Sequence, residues 1–395
     1  MITRRFGRTD LQMPVLSLGG MRYQQSWRDT GQDIEPAAQR RITDVVQTAL
    51  GLGINHIETA RGYGTSERQL GMLFHDLDRE RLIIQTKIAP SPDADLFATQ
   101  VAESFKRLQV DRIDLLALHG INTYEKFWWA VRPGGCLQIA RRLQAEGRIG
   151  HVGFSTHGSP ELIATVLQHE EDGGFDYVNL HWYYIWQYNW PAVVEATKRD
   201  IGVFIISPAD KGGRLYDPPE KLVELCQPLH PLMFNTAFCL ARPEVHTLSL
   251  GAARSSDFDL AATAVANLND YQKCLPEIEA RLEQAVAEIV GPGGLAELFE
   301  GVPTWEEAPG YVNIRTTIWL RALAIAYGMT DYARERYNLL GNGGDWFPGA
   351  NAAAVDQLDI GKAVRRSPLA AQIPQWLTDA HQRLAGPARQ RLSAQ

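Results

Sequence analysis

Cysteine is scarce in this chain. There are 4 in 395 residues, at Cys136, Cys226, Cys239 and Cys274. They lie far apart and none forms a Cys-x-x-Cys pair, which argues against a zinc or iron–sulfur site built from them. The expectation is reduced thiols in a cytoplasmic protein with no metal. Long apolar runs are also missing: none reaches the roughly 18 residues that a membrane span needs. The richest late segment, Ile314 to Tyr327, carries Arg315 and Arg321 and reads as a buried helix. The opening Met-Ile-Thr-Arg-Arg-Phe-Gly has no apolar core of signal-peptide length. There is no long run of one charge sign. A formal charge of -7 gives no reason to expect nucleic acid or an anionic membrane as partner. Finally, no Gly-x-Gly-x-x-Gly follows an early strand, which counts against an open dinucleotide-binding sheet.

What is present is a rhythm. Residues 1–14 read as a hairpin turning at Gly7-Arg-Thr-Asp10. Val15–Gly20 is the first buried strand, and Arg41 to Leu52 has helical spacing. Strands then follow at His56–Ala60, Leu82–Ile88, Asp114–His119, His151–Ser155, Tyr177–His181, Val203–Ser207 and Thr247–Gly251, each trailed by a helical stretch. An aromatic loop (Tyr124, Phe127, Trp128, Trp129) follows the Asp114 strand. Eight strand–helix units over about 250 residues predict a closed (β/α)8 barrel, an α/β fold with an N-terminal hairpin. Beyond about residue 268 the alternation gives way to helical patterns at Leu275–Val290, Val312–Tyr327, Asp331–Leu339 and Gln375–Leu384. Residues 1–267 are therefore read as the barrel and 268–395 as a helical C-terminal extension. The chain from Arg389 onward is expected to fray.

The C-terminal ends of barrel strands converge on one mouth. Glu58, Lys87 and His119 all fall at such ends, and Tyr63 lies just past its strand between two glycines. Taken singly, a Tyr beside glycines usually packs, a strand-end Lys is often a surface charge, and a lone His is often structural. Together they form an acid/base set. A carbonyl reduced by hydride needs a proton on oxygen. A phenol can supply it if a neighbouring cation such as Lys87 brings its pKa down from about 10. Glu58 offers Lys87 a counter-charge, and His119 can orient the carbonyl oxygen. A Schiff base on Lys87 is a weaker alternative.

These stretches resemble the aldo-keto reductase family. The carrying residues are Gly7-Arg-Thr and Leu18-Gly-Gly-Met near the start, Glu58-Thr-Ala with Tyr63-Gly, Thr86-Lys87, Asp114-Leu-Leu with His119, and Gly153-Phe-Ser-Thr-His. The resemblance implies an NADP(H)-dependent reductase of aldehydes or ketones. Its acid would be Tyr63, with Lys87, His119 and Glu58 as the rest of the tetrad. Glu58 stands where the family usually has Asp. Cofactor contacts implied by position are Gly20, Met21 and Arg22 after the first strand, Ser155 and Thr156, Asn179, Ser207 and Pro208, and Gly251, Ala252, Arg254 and Asp257. Arg254 is the candidate for the adenosine 2'-phosphate. Ile206 occupies the place of an aromatic that often stacks on the nicotinamide. The run His181–Trp190 either lines a pocket for an apolar or aromatic carbonyl compound or packs loop against barrel. The extension resembles that of a bacterial subgroup whose corresponding region carries ferredoxin-like cysteines; here that stretch, 338–349, has none. The alternative function is an NADP(H)-binding regulatory module with little or no turnover.

Overall fold

The structure, a computed structural model, describes residues 1–389. The fraying expected at the chain end lies outside the described residues, apart from Arg389, whose N–H bonds the Asn338 carbonyl. The chain divides into two compact units. One comprises 1–212 and 232–272, the other 213–231 and 273 onward.

The first unit holds a closed eight-stranded barrel, the expected fold, without residues 213–231, which the sequence reading places in it. Strands β1 (Thr3–Arg5) and β2 (Gln12–Pro14) pair antiparallel as the N-terminal hairpin. Eight further strands close into a ring: β3 (Leu16–Gly19), β4 (His56–Glu58), β5 (Ile83–Ile88), β6 (Ile113–Leu118), β7 (Ile149–Ser155), β8 (Tyr177–Leu180), β9 (Gly202–Ile205) and β10 (Thr247–Gly251). All adjacent pairs are parallel, and β10 returns to β3. β5 shows why these residues make such strands. All six are buried, with apolar Ile84 and Ile88 facing the helix layer and Gln85 and Lys87 facing the interior.

The hairpin plugs the N-terminal end. Phe6 and Met13 join Ile83, Leu115, Tyr177 and Phe204 in an apolar floor. Gly7 lets the plug seat, because its φ is +52° and a Cβ there would sit 2.5 Å from the Asp200 carbonyl oxygen. The outer helices are set by ordinary signals. In helix Ala94–Leu108, Asp93 caps the first turn by accepting from the N–H groups of Asp95 and Leu96, and Phe97, Val101, Phe105 and Leu108 form its buried face.

Two elements differ from the sequence reading. The aromatic loop is a helix, Tyr124–Val131, capped by the Thr123 hydroxyl at Lys126 N–H. Helix Pro231–Leu240 is additional. Several strands also end one or two residues early, which leaves His119, His181 and Ser207 just outside them.

The second unit is helical. Helix Ile314–Ala326 is buried on nearly all sides and packs on Thr330–Tyr337 and Ile373–Leu384. The Tyr337 hydroxyl ties this bundle together, 2.7 Å from His381 Nδ1 and accepting from Ala352 N–H at 3.0 Å. Residues 213–231 join it through Arg214 to Glu335 at 3.3 Å and Lys221 Nζ to the Ile325 carbonyl at 3.0 Å.

Candidate active site

The four side chains singled out from sequence lie on or just after three neighbouring strands. Glu58 ends β4, Lys87 is near the end of β5, and His119 follows β6. Lys87 and Glu58 are only 1% and 3% exposed, and their charges are in direct contact. Lys87 Nζ also donates to the Thr59 carbonyl at 2.8 Å and lies 3.2 Å from the Tyr63 hydroxyl. Tyr63 is half-buried in the turn between β4 and helix Ser66–Phe74. Gly64 makes that turn possible: at φ +57°, a Cβ would fall 1.9 Å from the Ser26 carbonyl oxygen. The Tyr63 ring meets Trp27 and His119 edge-on, at 6.3 and 5.7 Å between centroids.

The electrostatics differ from the expectation in one respect. Lys87 was expected to pull the Tyr63 phenol below its usual pKa. Burial, with Tyr23 nearby, instead pushes the phenol up. Burial also drives the Lys87 ammonium well below the ordinary lysine value, and contact with Glu58 is what favours its charged form. His119 is pushed down to about 3 by burial and by the charges of Lys87, Lys126 and Lys211, so its imidazole is neutral at pH 7. The phenol thus keeps its proton until an acceptor arrives.

The residues assigned to the cofactor divide into several groups. Asn179, on β8, is fully buried and neither of its amide atoms has a hydrogen-bond partner. Ser155 and Thr156 are tied into the barrel rim. Ser155 Oγ accepts from Gly120 N–H at 3.0 Å, and the Thr156 hydroxyl donates to the Ile121 carbonyl at 2.7 Å. Thr156 therefore has its proton committed. Gly20 follows β3, where a Cβ would meet the Glu58 carbonyl oxygen at 2.8 Å, and Met21 is half-buried beside it. Arg22 donates to the Gly251 carbonyl at 2.9 Å and approaches Asp257 at 3.5 Å. Asp257 is buried under Arg22 and Arg254 and accepts from Ala253 N–H at 2.8 Å, so it is a cap. Arg254 carries its guanidinium into solvent, with the side chain 76% exposed. Ala252 is buried behind it. Ser207 holds φ +54°, uncommon for a residue with a side chain, and Pro208 is buried next to it.

Of the aromatic run after β8, Trp182 and Tyr184 pack on helix Pro231–Leu240. Trp182 stacks on Phe238 at 5.1 Å and Tyr184 meets Phe234 at 5.0 Å. The sequence reading missed a neighbouring constellation. His181 Nδ1 donates to the Ile206 carbonyl at 3.1 Å, leaving Nε2 to accept from His157 Nδ1 at 3.1 Å. His157 Nε2 then faces the Lys211 ammonium at 3.5 Å. Burial and Lys211 push His157 well below the usual histidine value. The signal was available: each residue follows a strand end, as the tetrad residues do.

Among the described residues no group of three His, Cys, Asp or Glu could hold a metal ion, and no helix is long and apolar enough to cross a membrane. All four cysteines are free.

Comparison with known proteins gives the family and the fold. Residues 15–212 match the Aldo/keto reductase family profile. L-galactose dehydrogenase of Arabidopsis thaliana is 25% identical over 330 residues, covering 74% of this chain and 97% of that protein. An uncharacterized oxidoreductase of Mycobacterium tuberculosis is 32% identical over 118 residues, 29% of this chain and 34% of its own length. Among solved structures, an aldo-keto reductase of Bacillus halodurans in its holo form aligns with a TM-score of 0.56 at 22% identity, covering 70% of this chain and 96% of that one. A putative aldo-keto reductase of Pseudomonas aeruginosa aligns with a TM-score of 0.52 at 23% identity, covering 67% and 95%.

Proposed function

The chain belongs to the aldo/keto reductase family, and on that premise we propose that it is an NADP(H)-dependent oxidoreductase that reduces an aldehyde or ketone to the alcohol, with Tyr63 as general acid. The observation that carries this reading is the Tyr63 hydroxyl 3.2 Å from Lys87 Nζ, above a buried contact between Lys87 and Glu58.

A bound dihydronicotinamide would supply the hydride. Asn179 has the amide donor and acceptor to take its carboxamide, Gly20 leaves room beside Glu58, and Arg254 presents a guanidinium for the 2'-phosphate. As the new C–H bond forms, the carbonyl π pair moves onto oxygen and Tyr63 gives that oxygen its proton. Lys87 stabilises the phenolate left behind, and Glu58 holds Lys87 in place. His119, neutral, donates a hydrogen bond to the carbonyl oxygen and so orients it. Solvent then restores the phenol.

Tyr63→Phe removes the proton and leaves the ring. Turnover should fall by at least about a thousandfold, near the upper range for a general acid, while NADPH titration is unchanged. Retained turnover would refute the role. Similarity to a protein named L-galactose dehydrogenase puts sugars, assayed also in the oxidative direction, into the first substrate screen alongside apolar and aromatic carbonyl compounds.

A second reading is an NADP(H)-binding regulatory module. The committed Thr156 hydroxyl and the aliphatic Ile206 favour it. NADPH binding with no consumption across a broad carbonyl panel would select it.

A further inference from the structure

The Glu58 side chain serves two sides of the barrel. On one side is β5, whose Lys87 is in direct contact with the carboxylate. On the other side is β3, and there the residue directly opposite Glu58 is Gly19. An inward side chain at that position would fill the space beside the carboxylate. Gly19 has none, so the carboxylate reaches across β3 toward β10. Ser249 meets it there, its hydroxyl donating to Glu58 Oε2 at 3.3 Å. Opening and contact coincide. A Cβ built on Gly19 would fall 2.5 Å from Ser249 Oγ and 3.3 Å from Glu58 Oε2, and so would lodge between them.

Glu58, Lys87 and Ser249 are all buried. Among the described residues, Ser249 is the only donor other than Lys87 that reaches the Glu58 carboxylate. A carboxylate taken out of water is tolerable when its oxygens find such partners. A donor on the second oxygen favours ionised Glu58, and ionised Glu58 favours the charged form of Lys87. Geometry gains as well. A carboxylate engaged at both oxygens cannot swing about its last bond. Lys87 Nζ then keeps its place, 3.2 Å from the Tyr63 hydroxyl and 2.8 Å from the Thr59 carbonyl. Side-chain length is decisive here. An aspartate would be shorter by one methylene, roughly 1.5 Å of reach. The Ser249 contact is already near the long end of a hydrogen bond at 3.3 Å, so the shorter side chain loses it.

We infer that Ser249 is a positioning residue for the Glu58–Lys87 pair. Through the gap left by Gly19 its hydroxyl fixes the Glu58 carboxylate and, by way of that carboxylate, the Lys87 ammonium under Tyr63. The contact needs a reach that glutamate has and aspartate lacks. The contact stands on geometry alone; the positioning role rests on the reductase reading.

The contact is tested without turnover. In urea unfolding, Ser249→Ala should lower the midpoint in the wild-type chain but not in a Glu58→Asp chain, where there is no contact to lose. Equal shifts in the two chains overturn the contact. The role is tested by kinetics. Ser249→Ala should lower kcat about tenfold, near the low end of what a hydrogen bond to a charged group is worth, with KM and NADPH binding unchanged. Ser249→Thr keeps the hydroxyl and should recover most of that loss. In the Glu58→Asp background, Ser249→Ala should cost nothing further. Unchanged kcat in Ser249→Ala, a Ser249→Thr variant as poor as it, or the same loss in the Glu58→Asp background overturns the role. If Ser249→Ala does not fold, Ser249→Cys, close in shape but a weak donor, takes its place. A protein that consumes no NADPH with any carbonyl defeats the reductase reading and, with it, the positioning role; the urea comparison still decides the contact.

Discussion

Glu58 fits where it does because its neighbour Gly19 lacks a side chain. A Cβ on Gly19 would fall 2.5 Å from Ser249 Oγ and 3.3 Å from Glu58 Oε2, and Ser249 donates to that same carboxylate oxygen at 3.3 Å. Gly19→Ala should therefore displace the carboxylate and cut kcat by about tenfold or more, the scale of a misplaced catalytic group, with far-ultraviolet circular dichroism unchanged. Lys87 and Glu58 depend on each other for stability as well. Lys87→Met strands a buried carboxylate and should cost about 3–5 kcal/mol in urea unfolding, while adding Glu58→Gln should recover much of it. At the cofactor end, Arg254→Ala should raise the NADPH dissociation constant roughly tenfold, as expected for a lost charge-assisted contact to phosphate. NADH binding should not change, and equal weakening of both would remove Arg254 from the 2'-phosphate role.

At the level of elements, Asp257 links two parts of the rim. It accepts from Ala253 N–H and pairs with Arg22 and Arg254 around the turn Ser255–Phe258. Asp257→Ala should destabilise the protein by about 1–2 kcal/mol in denaturant titration, the cost of a lost cap. The elements that could be read from sequence share one property: a clear contrast between faces, or a short run buried on both. The eight barrel strands are of the second kind, as β6 shows with its near-continuous apolar run and β5 with six buried residues. Helix Pro231–Leu240 was illegible because it is buried all round, from Leu232 and Phe234 to Ala237, Phe238 and Leu240, so no polar stripe marks its period. Helix Tyr124–Val131 was hidden by exposure of aromatic rings, with Tyr124 and Trp128 each 59% accessible. In the site, strand-end position located Glu58, Lys87 and His119. What it could not give was the sign of the Tyr63 shift, which burial decides, or the commitment of the Thr156 hydroxyl, which depends on a carbonyl from another loop.

For the molecule as a whole, acid is the informative stress. Burial lowers His56 and His119 to about 3 and His246 to about 4. The unfolded chain takes up protons near 6.5 that the folded chain refuses. This contribution to stability is complete above pH 6.5 and drains away as pH falls toward 3. The melting temperature should accordingly be flat just above neutrality and decline steadily below pH 6.5; a stability maximum near pH 5 would contradict the buried-neutral histidines. Truncation tests the domain plan. Residues 213–231 belong to the helical unit through Arg214, Lys221 and the Arg281 contact to the Leu225 carbonyl at 3.0 Å. A chain ended after 267 should therefore be cut by protease within Gly213–Pro231 far faster than the full chain, and equal resistance would show that this stretch needs no partner.

That interleaving also orders events during synthesis. The segment between β9 and helix Pro231–Leu240 leaves the ribosome while the residues it packs with, from 273 onward, are still untranslated. The nascent chain must hold this loop in waiting until those residues emerge.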